Sequence, residues 1–384
     1  MSIKSLKKID PGYVVIIALF IIWKMVMLLV LIGAFLTIPL YSLNYLGGGL
    51  KNYLGGYYIF PWGNFDGEHF TSIAIFGYQE LQQAFFPLYP TLISLPMYIL
   101  GWTNEVASKS GFVISAVAFP IALVFFYKLL KLDYSKNFSL GVISILLLYP
   151  ASFYFNAIYT EALFLLLIIA SFYCFRTKHY FWAGVFGSLA SLTRVFGVLL
   201  FLSFLIEIFL QKISLKKAYW IILIPVGLLS YMIYLYFSVG DPLAFYNLQL
   251  VVGEQHQRGV ILFPQVVYRY AKMIAGLDSI SPLLTTILFE LATGIVFMLL
   301  PIIGLFYRVR LSYLFFAFFG YVLPTIQGSF SSLPRYVLVL FPSFLIIGLL
   351  IKNLPLYIKI ILGIISFILL IIEAALYLRG YWVA

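Results

Sequence analysis

Apolar runs of about 18 to 25 residues recur from one end of the 384-residue chain to the other, each long enough for a helix to cross a bilayer core and too long for a strand. Only 10% of the residues are charged, too few to cover a soluble surface of this size. A β-barrel would show short alternating segments, whereas these runs are continuous. The expected fold is therefore all-α, a polytopic transmembrane helical bundle. The first run, from Tyr13 to about Pro39, follows a basic leader (Lys4, Lys7, Lys8) but is too long for the apolar part of a signal peptide and lacks a small-residue cleavage site, so it reads as a retained span. Cys174 is the single cysteine and has no intrachain partner for a disulfide; within a span it reads as packing.

Eleven spans are expected, at roughly 13–38, 107–129, 139–155, 158–175, 180–193, 196–211, 218–238, 284–306, 312–326, 335–351 and 356–377. The net charge of +11 follows from topology. With the N-terminus inside, 15 of the 24 basic residues fall on short cytoplasmic turns: Lys4, Lys7 and Lys8; Lys128, Lys131 and Lys136; Arg176 and Lys178; Lys212, Lys216 and Lys217; Arg308 and Arg310; Lys352 and Lys359. Ten of the 13 acids (all but Asp10, Asp133 and Glu207) fall on or near the outer side, a segregation that the orientation rule does not explain and that a function on that face would.

Both long connections, about 39–106 and 239–283, lie on the outer side in this scheme and supply the material for a site. Within the first, FPLYPTLISLPMYILGW is apolar but short and interrupted by Pro87, Pro90 and Pro96, which suits a helix lying along the interface. NYLGGGLKNYLGG, before it, reads as a flexible spacer, because no Gly-Lys-Ser/Thr follows to make a phosphate loop. No boundary between separately folding domains is visible.

An ionisable residue at membrane depth costs several kcal/mol unless paired or hydrated, so each one is a functional candidate. In NFDGEHFTSIAIFGY, a helix would place Asp66, His69 and Phe70 on one face, an acid and an imidazole projecting from an apolar stripe, with Glu68 pointing elsewhere. A carboxylate so placed suits general-base work on a hydroxyl, since desolvation raises proton affinity while a nearby cation opposes that rise. An acid–imidazole cluster could also hold a metal, but HExxH is missing and no second histidine is near, so a metal-independent site is favoured. Arg194, in SLTRVFG, and Arg335, in SFSSLPRYVLVLFP, stand at the outer boundary. Each could simply anchor a helix end; converging among Ser329, Ser331, Ser332 and Tyr336, they would make a fork for a phosphate. Glu161 closes YPASFYFNAIYTE, where an exposed acid would be ordinary; Tyr154, Asn156 and Tyr159 are the aromatic and amide groups a sugar-binding surface offers. The second connection adds Asp241, Gln255, His256 and Arg258, material for a lid over substrate. Lys24, in the middle of the first span, either pairs inside the bundle or tilts towards the inner surface.

FDGEHFTSIAIFGY followed by AFFPLYP resembles the first outer loop of the PIG-V family, the second mannosyltransferase of GPI-anchor assembly and its prokaryotic relatives. YPASFYFNAIYTEALF, SLTRVFG, GDPLAFYNLQ and SLPRYVLVLFP resemble further blocks in the same order, so the likeness runs from about 64 to 342. The resemblance implies one GT-C-type transmembrane domain over residues 1–384, a glycosyltransferase using a polyprenyl (dolichyl) phosphate sugar. The family's acid maps onto Asp66, as base, and its two arginines onto Arg194 and Arg335, as phosphate ligands. Here Phe65 and Asn64 stand where the family usually has Trp preceded by Arg.

The expected activity is transfer of mannose, with inversion, to a hydroxyl on a glycolipid or glycan at the outer or lumenal face, with no metal or other cofactor and no nucleic acid partner. His69, Glu161, Tyr159, Asn156, Tyr336, His256 and Arg258 are the expected substrate contacts. The membrane would be the cell membrane of a prokaryote or the ER membrane of a eukaryote. The rival is a carrier or flippase of polyprenyl-linked sugars. It needs polar groups reachable from both faces, and the inner turns offer little beyond basic anchors.

Overall fold

The computed structural model describes residues 10–41, 43–56, 58–248, 261–276 and 282–383, and all regular structure among them is helical. In chain order the helices are α1 (Pro11–Thr37), α2 (Gly49–Gly55), α3 (Asp66–Phe76), α4 (Leu88–Leu100), α5 (Asn104–Leu130), α6 (Lys136–Leu148), α7 (Glu161–Arg176), α8 (Tyr180–Thr193), α9 (Leu199–Leu210), α10 (Leu223–Val239), α11 (Phe263–Ala275), α12 (Pro282–Phe306), α13 (Leu311–Thr325), α14 (Leu333–Tyr336), α15 (Phe341–Ile351) and α16 (Leu356–Leu378). Five segments are long and apolar enough to cross a membrane: α1, α5, α10 with its lead-in from Leu215, α12 and α16. Leu, Ile and Val side chains stand exposed along the outer faces of α1 and α16, a surface that water would not tolerate and lipid does. The chain is a multi-pass bundle of apolar helices.

The middle of the bundle is α7, which packs between α5 and α8; α8 packs in turn on α10, and α1 meets α16. Its residues from Glu161 to Phe172 are buried all round except Leu166, the pattern of a helix surrounded by others.

Helix is found at each of the eleven expected segments, but two of them are not continuous. The third ends at Leu148, because Pro150 cannot donate the next ladder hydrogen bond and restricts Tyr149; the chain turns and resumes as a 3-10 turn at Ser152–Asn156. The tenth is broken ahead of Pro342, where Leu340 leaves helical geometry and the pieces Leu333–Val339 and Phe341–Ile351 meet at 87°. A third break follows α8, where Arg194 is extended (φ −156°, ψ 146°) before a 3-10 turn at Val195–Val198. Such breaks are tolerated at membrane depth only where protein surrounds them.

The described residues of the first long connection are held by specific contacts. The segment expected to be a spacer is docked: Tyr53 is fully buried and its hydroxyl donates to the Leu378 carbonyl at 2.6 Å. Gly47 is there for its size, since a Cβ would lie 1.9 Å from the Phe60 carbonyl oxygen. The proline-rich stretch continues as one helix, α4, with Pro96 inside it. At 13 residues it measures about 20 Å, short of a bilayer core, and it packs on α5 and α3.

Candidate active site

The three helix breaks and the start of α3 bring four charged side chains into one row. Asp66 opens α3 and Glu161 opens α7, each in a first turn where the helix dipole favours an acid. Arg194 follows α8, and Arg335 lies on the short α14 before the sharp bend. Arg335 Nη1 donates to Asp66 Oδ2 at 2.5 Å, and its Nε lies 3.6 Å from Glu161 Oε1. Arg194 Nη2 donates to the same Glu161 oxygen at 2.9 Å. Tyr336 stands between the arginines: each guanidinium carbon lies over its ring, at 5.4 Å for Arg194 and 5.1 Å for Arg335. Tyr154 and Tyr159 offer their faces to Arg335 at 5.7 and 5.3 Å.

The expected convergence of the arginines is present, but carboxylates already engage both. Glu161 is not an exposed acid: it is fully buried and joins the two guanidinium groups, because the turn after Pro150 directs the start of α7 inward. Nor do Tyr154, Asn156 and Tyr159 form a surface. All three are buried, and the Asn156 amide oxygen accepts from Lys24, whose ammonium also lies over the Phe112 ring. Lys24 therefore pairs inside the bundle.

Exposure within the row is graded. The side chain of Glu161 is 0% exposed, that of Arg335 6%, that of Arg194 14% and that of Asp66 30%, so Asp66 is the most open member. Among the described residues Asp66 Oδ1 has no hydrogen-bond partner, and Arg194 Nη1 and Arg335 Nε, both buried, have none either. The row thus has a carboxylate oxygen free at its open end and, buried behind it, two guanidinium N–H groups without a hydrogen-bond partner.

The backbone ahead of Asp66 is tightly held. Asn64 is fully buried; its amide donates to the Tyr377 carbonyl at 3.0 Å and accepts from Gly47 N–H at 2.9 Å. Its own carbonyl receives the Tyr159 hydroxyl at 2.8 Å and the Tyr377 hydroxyl at 3.2 Å. Phe65 has φ +58° and ψ −120°, costly for any side chain, and is kept there by its N–H on the Tyr45 carbonyl and by its ring against Tyr377 and Trp382. Nothing local in the sequence announced Asn64 as an anchor, because its partner Tyr377 lies 313 residues away.

His69 stacks on Phe85 with ring centres 4.7 Å apart; burial lowers its pKa, and the Asp66 charge opposes that shift. Phe70, on the same face, is buried against Phe85, Tyr89 and Tyr159. Glu68 is half-buried, and burial raises its pKa to about 7. Asp241 is spent on structure: its carboxylate accepts from Leu243 N–H and from the Asn247 amide, capping a short turn. Gln255, His256 and Arg258 lie outside the described residues. No three His, Cys, Asp or Glu side chains gather as metal ligands among the described residues.

A second ionic cluster, at the far end of α7, was hidden in the count of basic anchors. Arg176 pairs with Asp133, Arg310 donates to Glu207 at 2.6 Å and lies 3.6 Å from Asp133, and Ser312 donates to Glu207 at 2.8 Å. Glu207, inside the apolar FLIEIFL, was the signal. Fifteen helical steps separate Glu161 from Arg176, so the clusters stand about 22 Å apart. Among known proteins, neither a family model nor a curated sequence matches this chain.

Proposed function

We propose that this chain is a membrane glycosyltransferase of GT-C type that moves a sugar, mannose on the strength of the resemblance, from a polyprenyl phosphate to a hydroxyl acceptor on the outer or lumenal face, with inversion. Eleven passes with a cytoplasmic N-terminus belong to the same reading. The observation that supports it is the row itself: a partly open carboxylate held 2.5 Å from a buried guanidinium, with a second guanidinium beyond, inside an apolar bundle.

The acceptor hydroxyl gives its proton to Asp66 Oδ1. Its oxygen forms a bond to C1 of the sugar as the bond from C1 to the phosphate oxygen breaks, and that electron pair leaves with the lipid phosphate. Charge stays balanced within the site. As Asp66 is neutralised its hold on Arg335 weakens, and Arg335 becomes available to the phosphate as that group gains negative charge. Arg194 Nη1 and Arg335 Nε supply the remaining donors. The lipid phosphate is co-substrate, and no cofactor is required in this scheme.

The test is to incubate purified protein in detergent with a panel of polyprenyl-phosphate sugars and an acceptor glycolipid extract, and to follow release of free lipid phosphate. Asp66→Asn should bind donor and fail to release it. Undiminished transfer by that variant ends the assignment; donor binding by the wild type without any transfer favours a carrier.

A further inference from the structure

Arg335, on α14, is carried to Asp66 by the loop that precedes that helix, Gly328–Ser332, which has no regular structure of its own, and three contacts hold that loop. Ser332 N–H donates to Glu290 Oε1 of α12 at 3.0 Å. Phe330 N–H donates to the Tyr270 hydroxyl of α11 at 3.1 Å, and that hydroxyl donates onward to Glu290 Oε2 at 2.7 Å. Arg269, beside Tyr270, donates to the Gly328 carbonyl at 3.2 Å. The Phe330 ring fills a notch over α12 that exists because Gly294 has no side chain: a Cβ there would lie 2.7 Å from the ring.

Glu290 is the hub. It is 4% exposed, in a helix apolar enough to span a membrane, where a carboxylate is expensive unless its oxygens are taken up. Both are, one by the Tyr270 hydroxyl and one by the Ser332 amide. The residues it serves matter more than the bonds. Ser332 is the residue before α14, held in left-handed geometry at φ +59°, and Arg335 follows three residues on. A non-glycine residue keeps that conformation only where its surroundings dictate it, and the Glu290–Ser332 bond is that restraint.

We infer that Glu290 is a positioning residue: through Tyr270 and the Ser332 amide it fixes the loop that aims Arg335 at Asp66 and at the donor phosphate. The inference rests on the function proposed above, and it adds that α11, from the second long connection, is coupled to the site through Tyr270 rather than merely lying beside it.

Three measurements test it. Glu290→Gln keeps the volume but replaces one acceptor by a donor facing Tyr270 or Ser332, and Tyr270→Phe deletes the shared hydroxyl. Each should lower kcat/KM for a polyprenyl-phosphate sugar by about ten- to hundredfold, as expected for a misplaced contact group, with the acceptor KM unchanged. In an Arg335→Lys background Glu290→Gln should cost little more, whereas a merely structural role would lower activity by the same factor in both backgrounds. Phenylglyoxal labelling read by peptide mass should find Arg335 slow to react in the wild type and faster in both variants, with Arg194 unchanged. Wild-type kinetics in Glu290→Gln, or full additivity with Arg335→Lys, overturns the inference while leaving the transferase intact. If the wild type transfers no sugar, the transferase reading fails, and labelling still decides the role of Glu290: faster modification of Arg335 supports it, and an unchanged rate overturns it.

Discussion

Arg335 and Asp66 are 269 residues apart in sequence and 2.5 Å apart in space, and the bond between them joins a helix break to a helix start. If Asp66 is the base, Asp66→Asn keeps the shape and loses the proton acceptor. Transfer should fall by about 10²- to 10⁴-fold at unchanged melting temperature. Arg335→Lys keeps a charge but not the planar fork that lies against Asp66 and Glu161 and, in the proposed reaction, would meet the phosphate, so it should weaken donor use and not merely slow the chemistry. Steady-state kinetics with varied donor separates the two effects.

Glu161 is the buried centre of the row, and removing it strands two guanidinium groups among aromatic rings. Glu161→Ala should destabilise the protein by about 3 kcal/mol, the usual cost of breaking a buried ion pair. Glu161→Gln retains an acceptor for Arg194 and should cost less. Thermal unfolding in detergent, followed by tryptophan fluorescence, ranks them; equal melting points for wild type and Glu161→Ala would mean the row is not held as described.

Two groups on α3 give the stability opposite dependences on pH. Burial raises Glu68 from 4.5 to about 7, so between those values the folded protein keeps a proton that the unfolded chain has lost. Its contribution is greatest below about pH 4.5 and disappears as pH rises to about 7. Burial lowers His69 below its ordinary 6.5, so its contribution is present above that value and lost as pH falls through the lowered one. Glu68→Gln should therefore raise the melting temperature at pH 8 and leave it nearly unchanged at pH 5, while His69→Gln should flatten the loss at the acid end. Melting curves over pH 4.5 to 8.5 check both signs.

The helical class and the segment positions were legible because lipid demands long apolar runs, a pattern that survives without tertiary information. Asp66, Arg194 and Arg335 stood out for the same reason: each is a charge where apolar residues are the rule. What the sequence left open was direction. Nothing in YPASFYFNAIYTE says that the turn after Pro150 aims Glu161 inward, so an interior hub read as a surface acid. Asn64 was silent because its partner, the Tyr377 carbonyl, comes from a distant segment; Glu290 showed as an acid in an apolar run, but nothing near it named the Ser332 amide it holds. NYLGGG read as a spacer because glycine suggests backbone freedom, whereas at Gly47 what counts is the close approach of Phe60.

The ionic cluster at the other end of α7 separates stability from activity. Glu207 is 6% exposed and accepts from Arg310 and Ser312. Glu207→Ala should lower stability by about 3 kcal/mol. The lesion is about 22 Å from Glu161 along a rigid helix, so kcat per folded molecule should stay within about twofold of wild type, because distant sites act independently. Activity normalised to the folded fraction at each temperature is the measurement, and a large fall in kcat at temperatures where the variant is folded would show that the two ends communicate.

Orientation can be decided with single cysteines, since Cys174 is the one thiol to remove. In a Cys174→Ser background, Asp66→Cys places a partly exposed thiol at the open end of the row, and Asp133→Cys places one at the opposite cluster, where the native side chain is 29% exposed. A membrane-impermeant maleimide added to intact cells or sealed, right-side-out vesicles should label the first and spare the second; permeabilisation should expose the second. The prediction follows from the basic turns: Lys128, Lys131, Lys136, Arg176 and Arg310 crowd the Asp133 end, and positive charge marks the cytoplasmic side. The reverse pattern would place Asp66 in the cytoplasm and remove the outer-face transferase, because the lipid-linked donor and the acceptor would then have to be cytoplasmic.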